Sequence, residues 1–201
     1  MNSRERVLAC LKRDGSVDRV PIDLGGYQSG ICWLAYDGLK KGLGISRETE
    51  ILEMNQMLAV VDEEILDRFR IDTRYVFPDC GTPPRWLDDI TYEDEWGIHR
   101  QRPPSSYYYD MVFHPWAEKT KEEIEKAPLP PVNASKRCAG LRRRILEIRQ
   151  NTDKAIFTSM SSVFEQTWNL MGMESFLIAL ASDRTLIEAA LDRVLEGFLA
   201  I

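Results

Sequence analysis

Cysteine and histidine are scarce, four and two among 201 residues. Cys10, Cys32, Cys80 and Cys138 are scattered with no Cys-x-x-Cys spacing. That excludes a zinc ribbon or dithiol motif and suits reduced thiols in a cytoplasmic protein. His99 and His114 stand alone, so no metal ligand is assigned to either. No apolar run is long enough to span a bilayer, so no membrane partner is expected. The N-terminal Met-Asn-Ser-Arg-Glu-Arg-Val-Leu carries charge of both signs but no apolar core, so it is not a secretory signal. A net charge of -6 leaves no basic surplus for a nucleic-acid backbone. Gly25, Gly26 and Gly30 lack phosphate-loop spacing and no Lys-Ser/Thr follows them, which argues against a nucleotide cradle.

What remains is an ordinary globular composition, 44% hydrophobic and 29% charged, with length for one domain and a real core. Apolar spacing predicts helices over 3–14, with Ser3 as cap and Gly15 as stop, over 31–41 and over 61–69. Residues 19–26 read as a first strand running into a glycine-rich turn, where glycine lets the backbone pass close to a ligand or a neighbouring strand. Residues 82–116 have no helical period and are rich in Pro, Tyr and Trp. They read as a hairpin excursion with arms at 91–99 and 107–113, more a packed aromatic lid than a pocket. Thr120 to Glu123 spells a capping box. A longer helix is predicted over 135–150, its arginines Arg142, Arg143, Arg144 and Arg149 forming a solvated face rather than an anion site. A strand follows over 154–160, then helices over 163–171 (capped from Ser161 or Ser162), over 174–181 and from Asp183 to the end.

The central stretch is Phe69 to Asp79. Ile71, Tyr75, Val76 and Phe77 suit a buried strand, and Pro78 stops it for want of an N–H. Asp79 then lies on the loop leaving the strand's C-terminal end. In α/β folds that is where chemistry is done; the plainer role is a turn cap before Gly81. Strands separated by helices imply parallel pairing and right-handed crossovers. Three main strands are too few for a (β/α)8 barrel, which takes roughly 250 residues. The apolar C-terminus therefore reads as that of a truncated chain, and uncovered apolar surface is expected on the strand at 154–160 and on the last helix.

Several blocks in order resemble the uroporphyrinogen decarboxylase superfamily. They are Arg4-Glu-Arg-Val-Leu, Asp18-Arg-Val-Pro, Asp23-Leu-Gly-Gly, Ala35-Tyr36, Asp62 to Phe69, Ile71-Asp-Thr-Arg, Asp94-Glu-Trp-Gly, Asp153-Lys-Ala-Ile, Phe164-Glu and Met171-Gly-Met-Glu. The superfamily holds the decarboxylase and the methylcobalamin-dependent methyltransferases that act on thiols such as coenzyme M. The resemblance implies an α/β fold, the N-terminal portion of a (β/α)8 TIM barrel with an inserted β-hairpin. It places Asp79 on the decarboxylase aspartate that sits under the substrate pyrrole nitrogens, where a carboxylate accepts several N–H bonds. Where the decarboxylase has two substrate-binding arginines, this chain has Gly26 and Gly30, which cannot pair with a carboxylate. Trp168 stands where the decarboxylase has a tyrosine and cannot act as a phenol.

The Asp-Leu-Gly-Gly turn is more similar to the methyltransferases. There, zinc binds and activates the acceptor thiol and a corrinoid supplies the methyl group. The ligands implied for zinc would lie beyond Ile201, and no cysteine or histidine here matches them. The expectation is thus a corrinoid-dependent methyltransferase with Asp79 as the catalytic-type residue. Gly25, Gly26, Gln28, Ser29 and Trp168 would line a small-molecule or corrinoid-protein site, and a homodimer is the implied assembly. The 201 residues alone are expected to be inactive. A cofactor-free uroporphyrinogen decarboxylase is the second reading, and a non-catalytic half-barrel binding module the third.

Overall fold

The computed structural model describes residues 1–13, 15, 17–78, 82–131 and 134–200. In chain order the first elements are α1 (Ser3–Lys12), α2 (Trp33–Gly42), β1 (Ile51–Glu53), β2 (Leu58–Ala59), α3 (Glu63–Arg68) and β3 (Thr73–Tyr75). Next come β4 (Arg85–Trp86), β5 (Thr91–Glu93), β6 (His99–Gln101), β7 (Asp110–Phe113), α4 (Lys121–Glu125) and α5 (Ala134–Arg137). The last are α6 (Leu141–Asn151), β8 (Ala155–Phe157), α7 (Val163–Met171), α8 (Met173–Ser182) and α9 (Arg184–Leu199). The chain is mixed α/β, and its contacts form two compact units where the sequence suggests one domain. The first is Met1–Pro78 with Gly140–Ser159, the second Asp79–Ala139 with Met160–Ile201. No helix among the described residues is long and apolar enough to cross a membrane.

The first unit is built on a parallel pair. β3 and β8 run in register, Thr73 opposite Ala155, Arg74 opposite Ile156 and Tyr75 opposite Phe157. Strand periodicity turns alternate residues to opposite faces. Arg74 reaches α3, with Nε 2.6 Å from Glu63 and Nη2 2.7 Å from Asp67. Thr73 and Tyr75 face the other way. The predicted first strand contributes one backbone bond to β3, from Asp72 N–H to the Ile22 carbonyl at 2.8 Å. It forms no ladder beyond that because Ile22 N–H, its next donor, is taken by the Asp72 carboxylate at 2.8 Å.

Asp72 is fully buried and is the unit's electrostatic anchor. Its carboxylate accepts from Arg6 at 2.7 Å and from both terminal nitrogens of Arg19 at 2.6 and 2.9 Å. Arg6 also holds Asp18 in a bidentate pair. One buried acid thus ties α1, the extended segment and β3 together. A separate core of Tyr36, Ala59, Val61, Ile65, Leu66 and Ile71 fills the space under α2 and α3. Phe69, the last residue of the helix predicted over 61–69, is 44% exposed, because α3 ends at Arg68 and Arg70 turns to positive φ. The small β1–β2 hairpin is absent from the sequence reading. Beside β8 a groove of about 530 Å³ is lined by Val7, Leu8, Leu11, Ile145, Ile156 and Phe157. β8 has β3 as its only strand neighbour among the described residues. The apolar surface expected at β8 is present, as it is at Leu195 and Leu199 of α9.

In the second unit, β4 to β7 form a four-stranded antiparallel sheet, so the expected hairpin arms belong to a larger meander. Asp94 explains the Asp-Glu-Trp-Gly block. Its Oδ1 accepts from Trp96 and Ile98 N–H, its Oδ2 from Arg100 Nε at 3.0 Å, and Gly97 supplies φ +80°. These bonds close the β5–β6 turn. Ile98, Trp116, Ile124, Leu170, Phe176 and Val194 join that sheet to α4, α7, α8 and α9 in one core. The capping box at Thr120 forms as predicted, and Ser162 caps α7 through Glu165 N–H at 3.0 Å. The helix predicted over 135–150 is broken. Gly140 takes a left-handed φ of +83°, ending the α5 turn and restarting the chain as α6.

Candidate functional site

Most of the predicted site residues of the first unit meet at the C-terminal ends of β3 and β8. After the extended segment, the chain turns through 25–30 and comes back over Tyr75. Gly25, at φ +102°, makes the turn, and its N–H donates to the Ser29 carbonyl at 3.2 Å. Gly26 N–H reaches Ser29 Oγ at 3.3 Å. Gln28 Oε1 accepts from Ser159 Oγ at 2.8 Å, tying the loop to the chain just past β8.

The reason for glycine at position 26 is steric. A Cβ there would lie 2.3 Å from Tyr75 Cζ, 2.6 Å from Cε1 and 2.7 Å from the phenol oxygen. The Tyr75 ring occupies the place a side chain would need. Gly30 has the same character: a Cβ would lie 2.7 Å from Leu58 Cδ1 and 2.9 Å from the Gly26 carbonyl. Both glycines serve close approach to a strand residue's side chain, Gly26 to Tyr75 of β3 and Gly30 to Leu58 of β2.

Tyr75 donates its hydroxyl proton to Asp23 Oδ2 at 2.8 Å, and Thr73 donates to Asp23 Oδ1. Thr73 and Tyr75 are two residues apart on one strand, so their hydroxyls share a face and converge on one carboxylate. Burial pushes the Tyr75 phenol up. The Ser29 hydroxyl pulls the other way, and the Asp23 carboxylate reinforces the upward shift. The phenol therefore stays protonated at neutral pH and remains a donor. Around this bond the rings of Tyr27 and Phe77 stack at 4.5 Å, Tyr75 and Phe77 at 5.7 Å, and Tyr75 and Phe157 tilt at 5.9 Å.

Gly25, Gly26, Gln28 and Ser29 are thus brought together. Asp79 lies outside the described residues. Trp168 belongs to the second unit, where it packs, half-buried, against the core of α7, α8 and α9. Sequence reasoning missed Asp23, Tyr75 and Ser159 as site residues. The period-2 spacing of Thr73 and Tyr75 was the available signal for two of the hydroxyls; nothing local to Asp23 announces that both point at it. Among the described residues no group of three or more His, Cys, Asp and Glu could hold a metal ion. The residues present therefore do not fit a zinc site, and no chemistry is routed through one. What they form is a mouth of hydroxyls, an amide and one carboxylate set among aromatic rings. No family model matches the chain, and neither does any curated protein or any solved structure.

Proposed function

We propose that the chain is the N-terminal part of a corrinoid-dependent methyltransferase of the uroporphyrinogen decarboxylase superfamily, its parallel β3–β8 pair being part of a (β/α)8 barrel. The observation that carries this reading over the decarboxylase is the contact of Gly26 with Tyr75. A uroporphyrinogen presents many carboxylates and calls for arginines at its binding loop. Here that position has no room for a side chain, and the adjoining charge is the carboxylate of Asp23, which repels anions. A neutral acceptor and a methyl group suit a hydroxyl- and ring-lined mouth better.

In this reading Asp23 orients Tyr75, Tyr75 and Ser29 present hydroxyl groups to the ligand, and the Gln28–Ser159 bond holds the loop over the strand ends. Asp79, which follows β3 in the sequence, is the proposed catalytic-type carboxylate. Zinc and the methyl-carrying corrinoid would be bound by residues beyond Ile201 and by a partner protein. The test uses protein made from its complete reading frame, methylcobalamin as donor and 2-mercaptoethanol, a neutral thiol, as acceptor. Methylated thiol and loss of the methyl-cobalt absorbance support the reading. Conversion of uroporphyrinogen to coproporphyrinogen by the same protein refutes it in favour of the decarboxylase.

A further inference from the structure

We propose that the groove beside β8 binds an anionic amphiphile, a single apolar chain ending in a carboxylate, with Arg4 and Arg149 holding the head. The claim goes beyond the proposed reaction and concerns the first unit alone.

The groove measures about 530 Å³, with α1 and α6 as walls and β8 as floor. That is the size of a small-molecule site, and an apolar lining with few polar groups is the usual kind. Among the described residues, Arg4 and Arg149 are the only charged ones that line it. Leu8 and Leu11 also line it and are left 46% and 68% exposed.

The two arginines stand where β8 begins. The Arg4 N–H donates to the Asp153 carbonyl at 2.8 Å, and Arg4 Nη2 donates to the Lys154 carbonyl at 3.3 Å. Arg149 is in the last turn of α6, which ends at Asn151, just ahead of β8. The apolar lining lies a turn or more away on both helices: Leu8 and Leu11 follow Arg4, and Ile145 precedes Arg149. The groove therefore has a cationic end and an apolar end.

Neither arginine forms an ion pair with an acid among the described residues, whereas their neighbours do. Arg6 holds Asp18 and Asp72, Arg143 faces Glu147 at 3.8 Å, and Arg144 faces Glu63 at 3.5 Å. Asp153, beside the start of β8, accepts from the Ser3 N–H at 3.0 Å. Of the arginines expected on one solvated face, Arg142 and Arg143 lie with Leu146 and Glu147, while Arg149 lines the groove. A carboxylate head accepts guanidinium N–H groups in charge-assisted bonds, and an apolar tail covers the leucines. The same arginines repel a cationic amphiphile.

A peptide strand suits this edge less well. The Ala155 N–H goes to the Asp72 carbonyl, and the Phe157 carbonyl accepts from the Val76 N–H. In a parallel ladder that leaves Ile156 alone to direct its backbone pair to the open side. The Asp153 and Lys154 carbonyls are taken by Arg4. An added strand would find one backbone pair, whereas an apolar tail needs none.

The experiment is calorimetric titration of the full chain with decanoate, decyltrimethylammonium and acetate, each below any micellar concentration. Decanoate should bind saturably and at least about tenfold more tightly than decyltrimethylammonium, the size of a charge-assisted bond. Acetate, the head without a tail, should give no measurable binding. Arg4→Ala and Arg149→Ala should each weaken decanoate about fivefold or more, and Leu8→Asn should weaken it through the tail, with far-ultraviolet circular dichroism unchanged. Arg142→Ala, outside the groove, should leave the affinity at the parent value and serves as the charge control. Equal affinity for the two amphiphiles, no binding of decanoate, affinity untouched by Arg149→Ala, or equal losses in Arg142→Ala and Arg149→Ala would each overturn the proposal. Binding of the peptide Glu-Val-Thr-Val-Thr-Val-Glu without binding of decanoate would overturn it in favour of strand addition.

Discussion

Gly26 and Tyr75 occupy one site: the space where residue 26 would carry a Cβ is filled by the phenol ring of Tyr75, 2.3 Å from it at Cζ. Glycine here is set by that ring, which in turn is held in place by the Asp23 carboxylate and by stacking on Phe77.

Gly26→Ala should therefore destabilise the protein by about 1–3 kcal/mol, the usual cost of overpacking. Tyr75→Ala in the same chain should remove most of that penalty, because the two positions share one volume and their effects are not additive. Urea unfolding of the two single variants and the double variant measures the coupling. A Gly26→Ala cost that persists unchanged in the Tyr75→Ala background would show that the ring is not the obstacle.

Asp72 sets how stability responds to acid. Burial raises its carboxyl, but the Ile22 N–H, Arg19 and the remaining donors around it outweigh this and hold it below the ordinary range. Asp18 is lowered mainly by its hydrogen bonds from Arg6. A carboxylate depressed in the folded state contributes stability that is present above its unfolded value, about 4, and lost as pH falls through the folded value. Thermal midpoints should hold from neutral pH to about 4 and then drop steeply. Asp72→Asn should lower the midpoint at neutral pH, since Arg6 and Arg19 lose their common partner, and should flatten the acid limb. A full acid limb in Asp72→Asn would assign the loss to other groups.

Local chemistry made much of this fold legible in the sequence. The Thr120 capping box and the Ser162 cap both form, because each depends on residues three apart. The first helix is right in place and wrong in detail: Asn2, one residue earlier than Ser3, makes the capping box with Glu5, and Arg13 rather than Gly15 ends the helix in the left-handed region. Gly140 breaks a run with sound helical spacing, since a pattern of apolar residues carries no penalty for one positive φ. The first segment reads as a strand, but a side chain distant in sequence, Asp72, takes the donor a ladder would need. The site divides along the same line. The loop residues 25–29 stand out by composition, whereas Asp23 joins them only through Thr73 and Tyr75, fifty residues on.

The Asp94 turn gives a prediction for the second unit. Asp94→Ala removes the acceptor of two turn N–H groups and of Arg100, a residue 8% exposed. The cost should be about 1–3 kcal/mol, the range for leaving buried donors unsatisfied. Denaturant unfolding followed by tryptophan fluorescence reports it through Trp96 in the turn. Stability equal to the parent would mean that the block is not held by this carboxylate.

Asp79→Asn should leave the folded state unaltered and lower methyl-transfer turnover by about 10²-fold or more, as loss of a transition-state charge contact does. The comparison is kcat with the thermal midpoint measured on the same samples. Unchanged turnover would remove Asp79 from the site and leave Asp23 as its carboxylate.

The most direct measurement offers both substrates to one preparation. Protein from the complete reading frame is given methylcobalamin with 2-mercaptoethanol in one cell and uroporphyrinogen in another. The account predicts methylated thiol with loss of the methyl-cobalt band in the first cell and unconsumed uroporphyrinogen in the second. Formation of coproporphyrinogen, with methylcobalamin untouched, would contradict it.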